Sequence, residues 1–282
     1  MIFTIEIKSI EKVYSGGKIA VNKISAEMNE RVTTLIGRNG AGKTTLLRML
    51  STQLLPTSGT AVVEGYDIIK DTKKVREMIS SIPQEASPIG ILTPYEQVKM
   101  YLVGRKFDRK DASSLAIEAL ETVGLGDAMN SPADTLSGGM KRKMFVALSI
   151  ASGANMVFLD EPTTGLDPLS RFEVWSAIKK LKSNVLLTTH YMEEAENLSN
   201  EVYLMDSGKI MDHGTVKSLL QKFKDRIRIE SQKQIPDSYS VAGMYIKYAP
   251  IEETERYIRE GATVKRITLD DLFIMRGVDL ES

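Results

Sequence analysis

The sequence predicts an α/β protein built on a parallel sheet, with a helical insertion and a small α+β appendage. Three observations carry this. The runs Val157-Phe158-Leu159, Val185-Leu186-Leu187-Thr188-Thr189 and Val202-Tyr203-Leu204-Met205 lack polar alternation, as strands covered on both faces do. Arg31-Val32-Thr33-Thr34-Leu35-Ile36 leads into Gly37-Arg38-Asn39-Gly40-Ala41-Gly42-Lys43-Thr44 and a helix over 43–50, the strand, glycine-rich loop, helix order of a phosphate-binding unit. From 94 to 152 the strand signal fades, and helices are predicted over 94–103, 109–123 and 141–151.

The other elements follow in order. Residues 2–8 set Phe3, Ile5 and Ile7 against Ile2, Thr4, Glu6 and Lys8, a strand alternation. Ser15-Gly16-Gly17-Lys18 is a turn, and short strands follow up to 36, so an antiparallel β subdomain is expected at the N-terminus. Residues 62–65 and 79–83 read as further strands, 172–181 as a helix and Ser207-Gly208-Lys209 as a hairpin turn. His213 reads as a surface-turn residue. After Leu219 the pattern restarts, with strands at 226–230, 243–248 and 263–267 and helices at 251–260 and 269–275. The expected division is 1–218 and 219–282, the first part having a core of 1–83 and 153–218 around a helical subdomain of about 84–152.

Composition narrows the function classes. A chain of 282 residues suits about two domains. Lys plus Arg and Asp plus Glu both number 37, so the chain has no overall basic footprint for nucleic acid. With no cysteine there is no disulfide framework and no thiolate metal site. No signal-peptide pattern opens the sequence, and no run approaches the ~18 apolar residues of a membrane span. The expectation is a cytosolic protein, with another chain supplying any membrane segment.

Gly37, Gly40 and Gly42 let backbone wrap a polyphosphate, and the following helix offers its positive end. The candidate nucleotide contacts are Gly37, Asn39, Gly40, Ala41, Gly42, Lys43, Thr44 and Thr45. Lys43 suits the β- and γ-phosphates, and Thr44 offers a hydroxyl to Mg²⁺. Asp160 and Glu161 end an apolar strand, where ligands of such sheets sit. Asp160 suits Mg²⁺, and Glu161 suits a general base on the attacking water; a solvated acidic turn before Pro162 is the alternative. Ser137 is a natural N-cap, and Gly138 and Gly139 let that helix end approach an anion.

The phosphate loop, then Leu136-Ser137-Gly138-Gly139-Met140, then Met156 to Glu161, in that order, resembles the ATPase subunits of ABC transporters over roughly 1–218. The resemblance implies a P-loop NTPase (RecA-like) core that uses ATP and Mg²⁺. It implies that His190 contacts the γ-phosphate and attacking water, and that Gln84 touches Mg²⁺ and water while linking core to helical subdomain. Asp167 matches the loop that reports one ATP site to the other, with a helix-capping role before Pro168 as the rival. Tyr14 matches the aromatic stacked on adenine, with a core tyrosine as the rival. Ser137, Gly138 and Gly139 would face the γ-phosphate held by a second ATPase subunit, so ATP would join two chains head to tail, as a homo- or heterodimer.

Met140 departs from the glutamine often found there. Leu-Ser-Gly-Gly-Met-Lys-Arg-Lys resembles the exporter-type ABC-2 branch, which includes antibiotic-resistance and sodium-extrusion ATPases. Thr268-Leu269-Asp270-Asp271-Leu272-Phe273 resembles that branch's Leu-Glu-Asp-Val-Phe element. The implied partner is a separate integral membrane permease subunit, holding the chain peripherally at the inner face of the membrane. Ile89-Gly90-Ile91-Leu92-Thr93-Pro94 is a candidate contact, unless it packs on the helical subdomain. An ABC ATPase acting on nucleic acid or ribosomes is the alternative. Against it, there is no heptad arm, no zinc cysteine set and only one cassette. A regulatory module that binds ATP without hydrolysis is a third reading, opposed by the presence of Glu161, His190 and Gln84.

Overall fold

The computed structural model describes residues 5–276; residues 2–4 of the predicted first strand and the far end of the 219–282 unit lie outside them. The first layer is a four-stranded antiparallel sheet of β1 (Ile5–Val13), β2 (Ile19–Met28), β4 (Ser58–Val63) and β5 (Tyr66–Asp67), in the order β2-β1-β4-β5. Ile5, Ile7 and Ile10 of β1 and Val21, Ile24 and Met28 of β2 point inward. The second layer is a six-stranded sheet in the order β10-β9-β3-β8-β7-β6. In it β3 (Val32–Ile36), β6 (Ile79–Ile82), β7 (Met156–Asp160), β8 (Asn184–Thr189) and β9 (Glu201–Asp206) run parallel. The edge strand β10 (Lys209–Gly214) is antiparallel, turned by Ser207 and Gly208, both at positive φ.

Every residue of β3 and β7 is buried, as their unbroken apolar character requires. Leu46, Leu47, Met49 and Leu50 of α1 (Lys43–Leu50) share one core with Ile7 and Val21 of the first sheet and Phe158 and Leu186 of the second. The helix after the phosphate loop is thus clamped by two sheets.

The helical arm is α3 (Pro94–Gly104), α4 (Arg109–Thr122) and α5 (Gly138–Ser152). Thr93 and Glu96 form a reciprocal capping box at the start of α3. Ala112, Ala116 and Ala119 keep one face of α4 thin enough for close packing, and this core runs on to Val174, Trp175 and Ile178 of α6 (Pro168–Lys179). Two short helices, α2 (Thr72–Met78) and α7 (Met192–Leu198), lie outside the predicted elements. Only Val75 of α2 is buried, too little for a 3.6-residue period to emerge. His213 lies within β10, not in a turn, where its ring stacks on Tyr203 at 4.9 Å.

Beyond the short α8 (Val216–Leu219), the appendage is a sheet of β11 (Arg226–Ser231), β12 (Tyr239–Val241), β13 (Met244–Pro250) and β14 (Thr263–Lys265) with α9 (Thr254–Arg259) and α10 (Asp270–Met275). Leu219, Phe223, Ile246, Leu269, Leu272 and Phe273 pack with Ile36, Val202 and Leu204 of the main sheet. The appendage therefore shares a core with the strand that feeds the phosphate loop. Asp271, fully buried, locks it: Tyr248 Oη donates to Oδ1 (2.8 Å), Arg228 Nη1 pairs with Oδ1 (3.2 Å), and the Thr268 amide donates to Oδ2 (2.7 Å). Asp271→Ala leaves Arg228 and Tyr248 without that acceptor and should cost about 3 kcal/mol in urea unfolding. A loss below about 1 kcal/mol would show that the network contributes no more than a surface pair.

Candidate nucleotide site

Parallel pairing sets Ile36 level with Thr189 and Asp160 level with Thr188. The loops after β3, β7 and β8 therefore leave the sheet at one edge. A cleft of about 350 Å³ opens there, lined by Tyr14, Asn39 to Thr45, Gln84, Glu161, Thr164 and His190. Gly42 sits at φ 99°, and a Cβ there would run into the Ala20 carbonyl. Only glycine lets the loop pass β2 and enter α1 with its amides free.

Lys43 is buried and donates to the carbonyls of Gly37 (2.7 Å) and Arg38 (3.1 Å). Its ammonium also pairs with Glu161 Oε1 at 3.3 Å. Glu161 Oε2 accepts from Thr164 Oγ1 (3.1 Å) and meets His190 Nδ1 at 2.7 Å. Glu161 is at φ 49°, a left-handed conformation unusual for this residue, held by two bonds from its amide to Thr188 O and Oγ1. Such strain concentrates where a side chain must be aimed.

Asp160 is 1 % exposed, and burial pushes its carboxyl above the usual range. Bonds from Thr188 (2.6 Å) and Thr44 (2.9 Å), both to Oδ1, oppose that shift, and the nearby Glu161 charge adds to it. Asp160 Oδ2 is buried with no hydrogen-bond partner. An orphaned carboxylate oxygen beside a threonine hydroxyl, both hard donors, fits Mg²⁺, which takes few protein ligands and completes its shell with water and phosphate oxygens.

The structure brings Tyr14, Asn39 to Thr45, Gln84, Glu161 and His190 to one cleft, with Gly37 and Asp160 directly behind it. Tyr14 is 40 % exposed, not a core residue, and its hydroxyl lies 3.5 Å from Thr45 Oγ1. Ser137, Gly138, Gly139 and Asp167 do not line the cleft. Ser137 caps α5, accepting from the Met140 amide at 3.2 Å, and Asp167 caps α6, accepting from the Ser170 amide at 3.0 Å. Bonds to Ser170 hold the Asp167 carboxyl below its usual range. Gly139 lies so close to Ser170 that a Cβ would come within 2.8 Å of that side chain. Sequence reasoning missed Lys18 and Thr164 in the cleft, and Arg142, which donates to the Gln84 carbonyl at 2.6 Å and so ties α5 to the cleft wall. Thr164 was within reach, three residues past Glu161; the Arg142 contact spans elements that no local pattern joins.

A phosphate loop facing a strand-end Asp-Glu pair and a histidine defines a nucleoside-triphosphate-hydrolysing cassette. The family model described as ABC transporter matches residues 21–164. This chain belongs to the ABC transporter family, as one of its ATPase cassettes. It is 39 % identical over 219 residues to the daunorubicin/doxorubicin resistance ATP-binding protein DrrA of Streptomyces peucetius, covering 76 % of this chain and 66 % of that protein. It is 35 % identical over 225 residues to the phospholipid-transporting ATPase ABCA3 of Homo sapiens, covering 78 % of this chain and 13 % of that much longer protein. The fold matches cbiO1 of Clostridium perfringens, part of the transporter complex cbiONQ (TM-score 0.70, 24 % identity, 79 % of this chain and 92 % of that one). It also matches a dimeric ATP-binding cassette bound to ADP and Pi (TM-score 0.67, 22 % identity, 75 % and 98 %).

Because the raised Asp160 carboxyl binds its proton more tightly folded than unfolded, it costs stability as pH rises through the ordinary value of 3.8 and beyond. Asp160→Asn should therefore raise the Tm of the nucleotide-free protein, more near neutral pH than in weak acid. The same variant should lose Mg²⁺-dependent turnover. A Tm gain that does not depend on pH would contradict the burial account.

Proposed function

We propose that this chain is the ATP-binding and hydrolysing subunit of a membrane exporter, working as a dimer with ATP between the two chains. The observation that carries this is the division of the chemistry. One face holds the phosphate loop with Glu161 and His190, and the Ser137 cap of α5 sits outside that cleft. The names of DrrA and ABCA3 support the exporter-type branch, as does Leu-Ser-Gly-Gly-Met. In this reading residues 1–218 form the ATPase unit and 219–282 an accessory unit braced against it.

Tyr14 offers its exposed ring to the base. The amides of Asn39 to Thr45 and the N-terminus of α1 receive the phosphates. Lys43 gives up Glu161 and turns its ammonium to the β- and γ-phosphates. Thr44, Asp160 and Gln84 would hold Mg²⁺, which supplies charge neutralisation along the phosphate chain. Glu161, freed from Lys43, accepts a proton from the attacking water, and His190 holds the Glu161 carboxylate in line. Ser137 and the α5 N-terminus of the second chain complete the γ-phosphate shell. Asp167 starts α6 beside Gly139 and so sits between the two half-sites.

The membrane partner is proposed to dock at a 710 Å³ groove between α2 and the end of α3. Lys73, Arg76, Arg105 and Lys106 line it, with Glu77 as its single carboxylate. Arg76 is held by Thr52, and Arg105 by the backbone carbonyls of Ile79 and Glu77 and by the Tyr101 hydroxyl, not by carboxylates. This field suits an acidic cytoplasmic segment. Ile91, 82 % exposed, adds an apolar contact surface in the 89–94 segment. Among the described residues no helix is long and apolar enough to cross a membrane.

Glu161→Gln should abolish hydrolysis while strengthening ATP-dependent dimers seen by light scattering; turnover at the parental rate would sink the base assignment. Ser137→Ala should slow hydrolysis and leave ATP binding by the monomer unchanged, whereas equal loss of both would contradict the two-chain site. A Lys73→Glu/Lys106→Glu variant should no longer co-purify with a polytopic membrane protein from gently solubilised membranes, at unchanged basal ATPase. Stoichiometric co-purification would place the docking surface elsewhere, and recovery of ribosomes or nucleic acid would favour the alternative reading.

A further inference from the structure

We infer that Glu194, on α7, is a positioning residue that holds the Glu161–His190 pair in register by tying the loop after β7 and helix α6 to one buried carboxylate. It lies on α7, fully buried, four residues past His190, and touches no part of the cleft. Its Oε1 accepts from Thr163 Oγ1 at 2.8 Å and from Trp175 Nε1 at 2.9 Å. Its Oε2 has no hydrogen-bond partner. Leaving a carboxylate oxygen buried and unpaired is costly. An apolar residue at this place would remove that cost, so the acceptor geometry is what the glutamate contributes.

The contacts close a ring around the base. Thr163 adjoins Thr164, and Thr164 Oγ1 donates to Glu161 Oε2. His190, at the other side of Glu161 Oε2, leads directly into α7, whose first turn includes the bond from the Glu194 amide to the Tyr191 carbonyl. Both groups that orient Glu161 Oε2 are thus anchored to Glu194, one through the Thr163 side chain and one through the helix. Trp175 adds a third arm on α6, the helix capped by Asp167. Burial pushes the Glu194 carboxyl up, against the lowering influence of the nearby Thr189 hydroxyl and of the bonds from Thr163 and Trp175, with the Glu161 charge adding to the rise. That agrees with a group that works by accepting hydrogen bonds, not by its charge.

This inference rests on Glu161 being the base, and the tests separate the two. The full chain is assayed for ATP turnover, with nucleotide binding and Tm measured on each variant. Glu194→Ala should lower kcat at least ~10-fold, as expected when an aimed group drifts by a fraction of an ångström, with KM for ATP nearly unchanged. Glu194→Gln keeps one acceptor oxygen for both donors and should restore kcat to within about threefold. Should Glu194→Ala fold poorly, single-arm variants decide. Thr163→Val should reduce kcat more than Trp175→Phe, although Trp175→Phe should lower Tm more. A role confined to core support predicts parental kcat per folded molecule in all four, and that result overturns the inference. So does a Glu194→Gln variant as slow as Glu194→Ala. Turnover surviving in Glu161→Gln would instead sink the base assignment.

Discussion

Parallel pairing of β3, β8 and β7 is the constraint on which the site depends. Backbone register brings the phosphate loop, His190 and the Asp160-Glu161 pair out at the same edge of one sheet. Because the strands are buried on both faces, a slip in register would misfit side chains packed on either side and carry the strand-end acids away from the phosphate loop. The clamp on α1 from both sheets then fixes where Lys43 and Thr44 enter the cleft. Electrostatics follow from that placement: two acids and a lysine are forced close together in a poorly hydrated space. Bonds to Thr44, Thr188, Thr164 and His190 satisfy the two acids except at Asp160 Oδ2.

Much of this was legible in the sequence, for local physical reasons. A phosphate loop announces itself because glycines, lysine and threonine must all fall within one turn. Runs such as Val157 to Leu159 announce a covered sheet because no polar residue interrupts them. The strand ends bearing Glu161 and His190, and the caps at Ser137 and Asp167, were likewise placed where the structure has them. What escaped is tertiary. Arg142 reaching the Gln84 carbonyl and Glu194 reaching Thr163 and Trp175 join residues distant in the chain, and nothing in a local window marks an arginine or glutamate as buried. Helix α7 is only seven residues long, too short for a clear helical period, and its buried glutamate reads as a solvated one.

The accessory end of the chain is coupled to the cassette more closely than its separate pattern suggests. Leu269 and Phe273 belong to the same apolar cluster as Ile36, the residue before the phosphate loop. The Leu269 amide also donates to Glu196 Oε1 at 3.1 Å, on the helix that carries Glu194. One short helix thus meets the appendage on one side and the loops around Glu161 on the other.

The Lys43–Glu161 pair gives the cleft a counter-ion of its own. Both groups are almost out of water, so either charge left without the other would be costly to bury. With the pair in place, an incoming polyphosphate trades one carboxylate for another set of anionic oxygens around the same ammonium. Binding is then an exchange of partners, and its strength is set by the difference between two ion pairs.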